Sequence, residues 1–356
     1  MSRKPHGTEL RRGWTTGACA TAATKAALLA LLTGEFPDPV TIRLPKGEEP
    51  SFPLALERLG DAEASAGIVK DAGDDPDVTH GATVISTVRM EGRGVTFRAG
   101  DGVGTVTKAG LPIPPGEAAV NPVPRRMMNG IIEVICASHG RAPNVAVTLS
   151  IPGGEELAAR TWNPRLGIVG GLSILGTTGV VHPYSCASWI HSIHRGVDVA
   201  RAEGHGHIVA STGSTSEAAA AALHPLPPTA YIDMGDFAGG LLKYLRAHPV
   251  PRLTIAGGFA KLLKLSQGAL DLHSGRSQVD LDRLAVLAGA HGATAVETNR
   301  IRRANTANEA LTLTTVPLGQ LVAESARAAA IETLRNAPVG VETIVIDRAG
   351  TVIGRA

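Results

Sequence analysis

The second half of the chain alternates strand-like and helix-like segments, and that alternation limits the possible folds more than any other feature. After Gly153-Gly154, four apolar runs each end in a short turn of Gly, Ser, Thr or Asp. GIVGGLSIL leads into GTTG, HIVA into STGSTSEAAAAAL, AYIDM into GDFAGGLLKYL, and LTIA into GGFAKLLKL. Alternating strand-helix units of this length predict a parallel, doubly wound sheet. Two more helices, around DLDRLAVLAGA and PLGQLVAESARAAAIETLR, and a last strand, TIVIDR, complete it.

The first half follows other rules. Thr15-Thr16 offer an N-cap, Ala18 to Leu32 favour helix, and Gly34 with Pro37 and Pro39 ends the run. Short β-like pieces then follow (TIRL, SFPLAL, ATVISTVRM, VTFRA, TVTK), separated by Gly and Pro turns. A Pro-rich connection leads to a helix expected over Arg125–Ala137 and a strand, VAVTLSIP. The 356 residues therefore divide into an α+β domain over 1–153, on an antiparallel or mixed sheet, and an α/β Rossmann-like domain over 154–356 with a mostly parallel sheet.

Charge and composition exclude several partners. With 34 Lys+Arg against 32 Asp+Glu and 3% aromatics, the chain has neither the charge nor the stacking surfaces of a nucleic-acid binder. Cys19, Cys136 and Cys186 are odd in number and far apart, which fits neither a disulfide framework nor a zinc spacing and points to a reducing cytoplasm. The basic N-terminus, MSRKPHGTELRRGW, runs into a Thr-interrupted Ala-rich stretch, so no signal peptide is expected. No apolar window of about 20 residues is found, so no membrane span is expected. A homo-oligomer is compatible with the sequence.

In an open parallel sheet, ligands bind beyond the carboxyl ends of the strands, where turns present N–H groups and helix N-termini. Three turns carry suitable chemistry: Gly176-Thr177-Thr178-Gly179, Ser211-Thr212-Gly213-Ser214, and Asp233-Met234-Gly235-Asp236. Each alone is an ordinary helix cap; three on one sheet favour a nucleotide-like ligand. Gly171 to Thr178 matches a Walker A frame without its lysine, which argues against ATP hydrolysis. Gly100, Gly102 and Gly104 precede β-branched residues and no helix, the wrong setting for a dinucleotide fingerprint. A nucleoside without a triphosphate, such as S-adenosylmethionine, is the candidate that is left.

Three clusters add chemistry. The loop from Val69 to Asp77 carries Asp71, Asp74, Asp75 and Asp77, close enough for a general base, for which Asp74, Asp75 and Asp77 are the candidates, or for a contact to cationic groups; a solvated turn is the competing reading. A calcium loop is not expected, because the terminal Glu is missing. Lys70, Arg89, Arg93, Arg98, Lys108, Arg125 and Arg126 recur in the same domain. Arg125-Arg126 open a helix, where cations oppose the dipole and an anionic ligand would compensate them. Histidines 182, 191, 194, 205 and 207 crowd together, but no Cys or carboxylate completes a ligand set at recognisable spacing, so no metal site is expected.

Long stretches of the chain resemble the CbiD family of cobalt-precorrin-5B (C-1)-methyltransferases. They are GWTTGACATAATKAA at 13–27, VKDAGDDPDVTHG at 69–81, GVGTVTKAGLPIPPGEAAVNPVPRRM at 102–127, GLSILGTTGVVHP at 171–183, STGSTSE at 211–217, GGFAKLLKL at 257–265, and His273-Ser274. The resemblance implies S-adenosylmethionine-dependent methylation of carbon 1 of a ring-contracted cobalt-corrinoid on the anaerobic route to cobalamin. The substrate's acetate and propionate groups would take basic and hydroxyl partners, for which Thr15, Thr16, Lys70, Lys108, Arg125 and Arg126 are the candidates. A nicotinamide-dependent oxidoreductase and a non-catalytic corrinoid carrier stay open beside it.

Overall fold

Small side chains decide how the first unit packs. The computed structural model describes residues 10–356; most of the basic N-terminal run, residues 1–9, lies outside them. Contacts divide the chain into two compact units, 1–186 and 187–356. Helix α1 (Thr16–Thr33) begins at Thr15, whose Oγ1 accepts from the Ala18 N–H at 3.2 Å, and ends at Gly34 in the left-handed region, both as expected. Seven alanines of α1, from Ala18 to Ala30, are fully buried. Lacking bulk, they let the helix lie close on a sheet. Buried Thr21 and Thr24 direct their hydroxyls to carbonyls one turn back, so they cost little there. By length and composition α1 is also apolar enough to cross a membrane, yet 72% of it is buried inside this unit.

The sheet under α1 contains β1 (Leu56–Leu59), β2 (Glu63–Val69), β3 (Thr83–Arg89), β4 (Val95–Ala99) and β5 (Val145–Ser150), in the order β1-β2-β3-β5-β4. All pairings are antiparallel except β4 with β5, so the sheet is mixed. Strand β2 is absent from the sequence expectation. It reads EASAGIV, poor in β-formers, because Ala64 and Ala66 face the small side of α1. Helix α2 (Pro122–Ser138) packs beside α1.

Residues 154–186 belong to this unit, although the change of pattern at 153/154 places them with the α/β part. Ile168–Val169 pairs antiparallel with Thr105–Val106, and Val180–Val181 with Gly13–Trp14. GIVGGLSIL is therefore not a strand of the parallel sheet. Gly167 and Gly171 fit it into tight places: a Cβ at Gly171 would come within 2.2 Å of the Gly102 backbone.

The second unit starts with α3 (Cys186–Ala202), whose first residue lies at the division. It then alternates β6 (His207–Ser211), α4 (Ser214–Leu223), β7 (Tyr231–Asp233), α5 (Ala238–Ala247), β8 (Arg252–Gly258) and α6 (Phe259–Ser266). Helices α7 (Leu281–Ala290), α8 (Ala295–Arg302) and α9 (Leu318–Leu334) precede β9 (Gly340–Ile346) and β10 (Val352–Arg355). The sheet order is β7-β6-β8-β9-β10, parallel except for β10. Ile208 and Ala210 face one apolar layer with Leu253 and Ile255, while Val209, Ala256 and Ile344 face another against α4. Burial on both faces explains the unbroken apolar strands.

Candidate active site

The chain leaves β6 for β7 on one side and returns past it to β8 on the other. The carboxyl ends of β6 and β8 therefore flank the point where the winding reverses, the usual ligand crevice of such sheets. Ser211-Thr212-Gly213 ends β6 and Gly257-Gly258 ends β8. Gly213 and Gly258 precede α4 and α6, and neither helix has a side-chain cap. A Cβ on Gly213 or on Gly258 would meet nothing within 4 Å, so a ligand can approach the backbone at both. Gly257 has no such room: a Cβ there would lie 1.9 Å from Leu262.

The turn after β7 is tied to the same edge. The Met234 and Gly235 N–H groups donate to the Ser211 carbonyl at 2.9 and 3.2 Å, and Gly235 N–H also donates to Asp233 Oδ1 at 3.1 Å. Gly235 adopts φ +53, and the Trp189 indole, 43% exposed, packs where its side chain would be. Lys261, one turn into α6, pairs with Asp236. Ser211, Thr212, Gly213, Asp233 and Gly235 thus come together on adjacent strands.

Gly176, Thr177, Thr178 and Gly179 do not join them, which corrects the expectation of three turns on one sheet. Their turn sits in the first unit, on the N-terminus of α1. The Gly17 N–H donates to the Leu175 carbonyl at 2.7 Å and the Thr15 N–H to the Gly179 carbonyl at 2.9 Å. Gly176 adopts φ +139, and a Cβ there would come within 2.2 Å of Thr15 Oγ1. The turn is thereby brought to Thr15 and to Thr16, itself only 6% exposed.

The same place gathers other distant segments. The Trp14 N–H donates to the Asp71 carbonyl at 2.7 Å, and the Asn121 N–H to the Ile174 carbonyl at 3.1 Å. A Cβ on Gly17 would lie 2.6 Å from Pro124. Residues 13–17, 71–80, 120–125 and 174–184 therefore adjoin one another in the first unit, some buried and some, such as Asp74, Leu175 and Thr177, exposed.

The aspartates of that region hold it together. Asp74 Oδ2 accepts the Arg11 N–H at 2.6 Å, and Asp75 Oδ1 the Tyr184 N–H at 2.7 Å. Asp71 is bracketed by the Arg11 guanidinium and the Gly73 N–H, which lower its carboxyl to about 2. Asp77 accepts from Lys70 Nζ at 2.5 Å and from the Thr79 N–H and hydroxyl at 2.8 and 2.6 Å. Burial opposes its charge, but Lys70 and Thr79 outweigh that and hold Asp77 below the usual carboxylate range. Burial likewise pushes the Cys19 thiol up to about 12, which makes it a poor nucleophile.

The basic candidates separate. Lys70 is 1% exposed with its ammonium on Asp77, so it is a buried counter-ion and not a surface contact for a substrate. Arg125 donates to the Val120 and Ala118 carbonyls at 2.8 and 3.0 Å and to Glu117 Oε2 at 2.6 Å, and lies over the Phe97 ring. Its compensating anion is internal, against the expectation of a ligand. Arg126 is exposed, and the Lys108 stem packs against Gly167.

Among the histidines, His194 stacks on Tyr244 with ring centroids 3.9 Å apart and lies near His191, and among the described residues neither belongs to a group of three potential metal ligands. His207 instead meets His224 and Glu342 at the amino end of the sheet, a convergence the sequence does not show.

A ligand crevice at the winding reversal of an α/β unit, carried with a motif-dense α+β unit, is the architecture of a small-molecule enzyme. The CbiD family profile matches residues 3–183, and the CbiD C-terminal domain profile matches residues 271–356. A protein of Brucella anthropi named cobalt-precorrin-5B C(1)-methyltransferase is 67% identical over 98% of this chain and 96% of its own. One of the same name from Brucella canis is 65% identical over 99% and 98%. The crystal structure titled cobalamin biosynthesis protein (cbiD) from Archaeoglobus fulgidus is 29% identical, covers 75% of this chain and 83% of its own, and superposes with a TM-score of 0.40. The chain belongs to the CbiD family.

Proposed function

We propose that this protein transfers a methyl group from S-adenosylmethionine to carbon 1 of cobalt-precorrin-5B in cobalamin biosynthesis. The observation that carries the reading is the 67% identity, over nearly the whole of both chains, to a relative bearing that name. We assign the nucleoside to the Rossmann-like crevice between β6 and β8. Gly213 and Gly258 would admit it to the backbone there, Ser211 and Thr212 are hydroxyl partners, and Asp233 is an acceptor for the ribose diol. We assign the corrinoid to the surface of the first unit. We assign its contacts to Thr15 and the turn Gly176 to Gly179, and its acetate and propionate groups to Arg126 and Lys108.

When bound, the sulfonium supplies an electrophilic methyl group. The protein's work is then alignment and exclusion of water. The ring's lost proton needs at most a weak base. Asp77, held anionic by Lys70, is poorly suited to that role, whereas exposed Asp74 and half-buried Asp75 are the loop carboxylates that could take it. Three unpaired cysteines fit a cytoplasmic enzyme.

The test is anaerobic incubation with the cobalt intermediate and methyl-labelled S-adenosylmethionine. One labelled methyl per macrocycle at carbon 1, with an equal amount of S-adenosylhomocysteine and no response to NADPH, is expected. Label remaining in the cofactor while both ligands bind would leave a carrier.

A further inference from the structure

At the amino ends of the second unit's strands, the far end of the sheet from Ser211 and Gly258, six polar side chains converge. His207 opens β6, Arg252 opens β8 with Thr254 two residues on, Glu342 and Arg355 lie on β9 and β10, and His224 follows α4. Glu342 is the hub. Its Oε2 accepts from the Thr254 hydroxyl at 2.6 Å and from His224 Nε2 at 2.7 Å, and its Oε1 from Arg355 Nε at 2.7 Å. His207 Nε2 lies 2.8 Å from the same Thr254 hydroxyl, and the two imidazoles stand edge to face with centroids 4.8 Å apart. The side chains of His224 and Glu342 are each 11% exposed.

The geometry points to a site for one divalent transition-metal ion of the borderline class (Zn2+, Co2+ or Ni2+), bound by His207, His224 and Glu342. One ligand atom from each lies within 4.8 Å of the others, and among the described residues this is the one such group of His, Cys, Asp and Glu. Two imidazoles and a carboxylate match the donor preference of these ions. Bonds of about 2.1 Å in a tetrahedron place donor atoms roughly 3.4 Å apart, so the triangle closes by side-chain rotation alone. The Thr254 hydroxyl now bridges His207 and Glu342 and must turn aside or become the fourth neighbour.

The surrounding groups serve such a site. Arg355 grips Oε1 and leaves Oε2 aimed at the imidazoles, the outer-shell role that orients a ligating carboxylate. Arg252, 3.5 Å from Oε2, would repel the ion, but its side chain is 49% exposed and free to swing into solvent. Each neutral imidazole ligates through Nε2 by moving its single proton to Nδ1, so the site need lose no proton. The ion would tie β6 and β9 to the end of α4, away from the methyl-transfer residues, as a structural cross-link.

The test uses the full chain, stripped with a chelator and titrated with Zn2+ by calorimetry and with Co2+ by visible ligand-field absorption. One equivalent should bind, with intense bands typical of low coordination. His207→Gln, His224→Gln and Glu342→Gln should each weaken binding by more than ~10-fold, while His191→Gln changes nothing. If Glu342→Gln fails to fold, the two half-buried histidines decide. Binding that does not saturate near one equivalent, or native affinity in both histidine variants, would overturn the proposal.

Discussion

Replacing Lys70 by Met tests whether Asp77 is a clamp or a base. Met keeps most of the aliphatic length in a site where Lys70 is 1% exposed, but removes the one cation that, among the described residues, lies within bonding distance of Asp77. Breaking a buried ion pair costs about 3–5 kcal/mol. Asp77 is 25% exposed and retains two bonds from Thr79, so the low end, ~3 kcal/mol, is expected here. The sign of the pH dependence follows from the direction of the shift. The folded-state pKa of Asp77 is depressed, so its contribution is fully present above the ordinary value of about 3.9 and fades as pH falls through the lowered one. The deficit of Lys70→Met should therefore be largest near neutrality and shrink in acid. Urea unfolding followed by tryptophan fluorescence in a Trp189→Phe background reports on the first unit, where Trp14 and Trp162 lie. A Lys70→Met, Asp77→Leu double variant should recover part of the loss. A deficit below about 1 kcal/mol, or one unchanged between neutral and acid pH, would refute the buried-pair argument.

Two further outcomes separate binding from folding. Gly213→Val points its side chain into open space from an extended backbone, so circular dichroism should not change, while the S-adenosylmethionine dissociation constant should rise at least ~10-fold by calorimetry, the loss of one good contact. Unchanged affinity would move the nucleoside elsewhere. Arg125→Gln should lower stability by roughly 1–3 kcal/mol, because its guanidinium serves two carbonyls and Glu117. Arg126→Gln should leave the melting temperature alone and instead weaken corrinoid binding and flatten its salt dependence. Equal behaviour of the two variants in both assays would undo the distinction.

Local chemistry carried much of this protein into view from its residues alone. The caps of α1 at Thr15 and Gly34 rest on interactions within a few residues, and the strand-turn-helix units from His207 to Ser266, with their turns at Ser211 and Asp233, show in residue types and periods read over short windows, which is why a linear reading finds them. The family motifs were equally legible. Tertiary structure decided what depends on contacts far apart in the chain. Strand β2 forms although it is rich in Ala, Ser and Gly, because α1 is narrow where it lies. Gly176 to Gly179 belongs with Thr15 because two amides at the start of α1 take the carbonyls of Leu175 and Gly179. Lys70, an apparent surface cation, turns inward because Asp77 is there to meet it, and Arg125 is held by the Ala118 and Val120 carbonyls and Glu117. His224 and Glu342 stand 118 positions apart and touch only because β9 enters the sheet beside β8. A spacing rule counts along the chain, whereas burial and charge pairing are set across it, and those determined which of the candidate residues are held in the interior and which stay exposed.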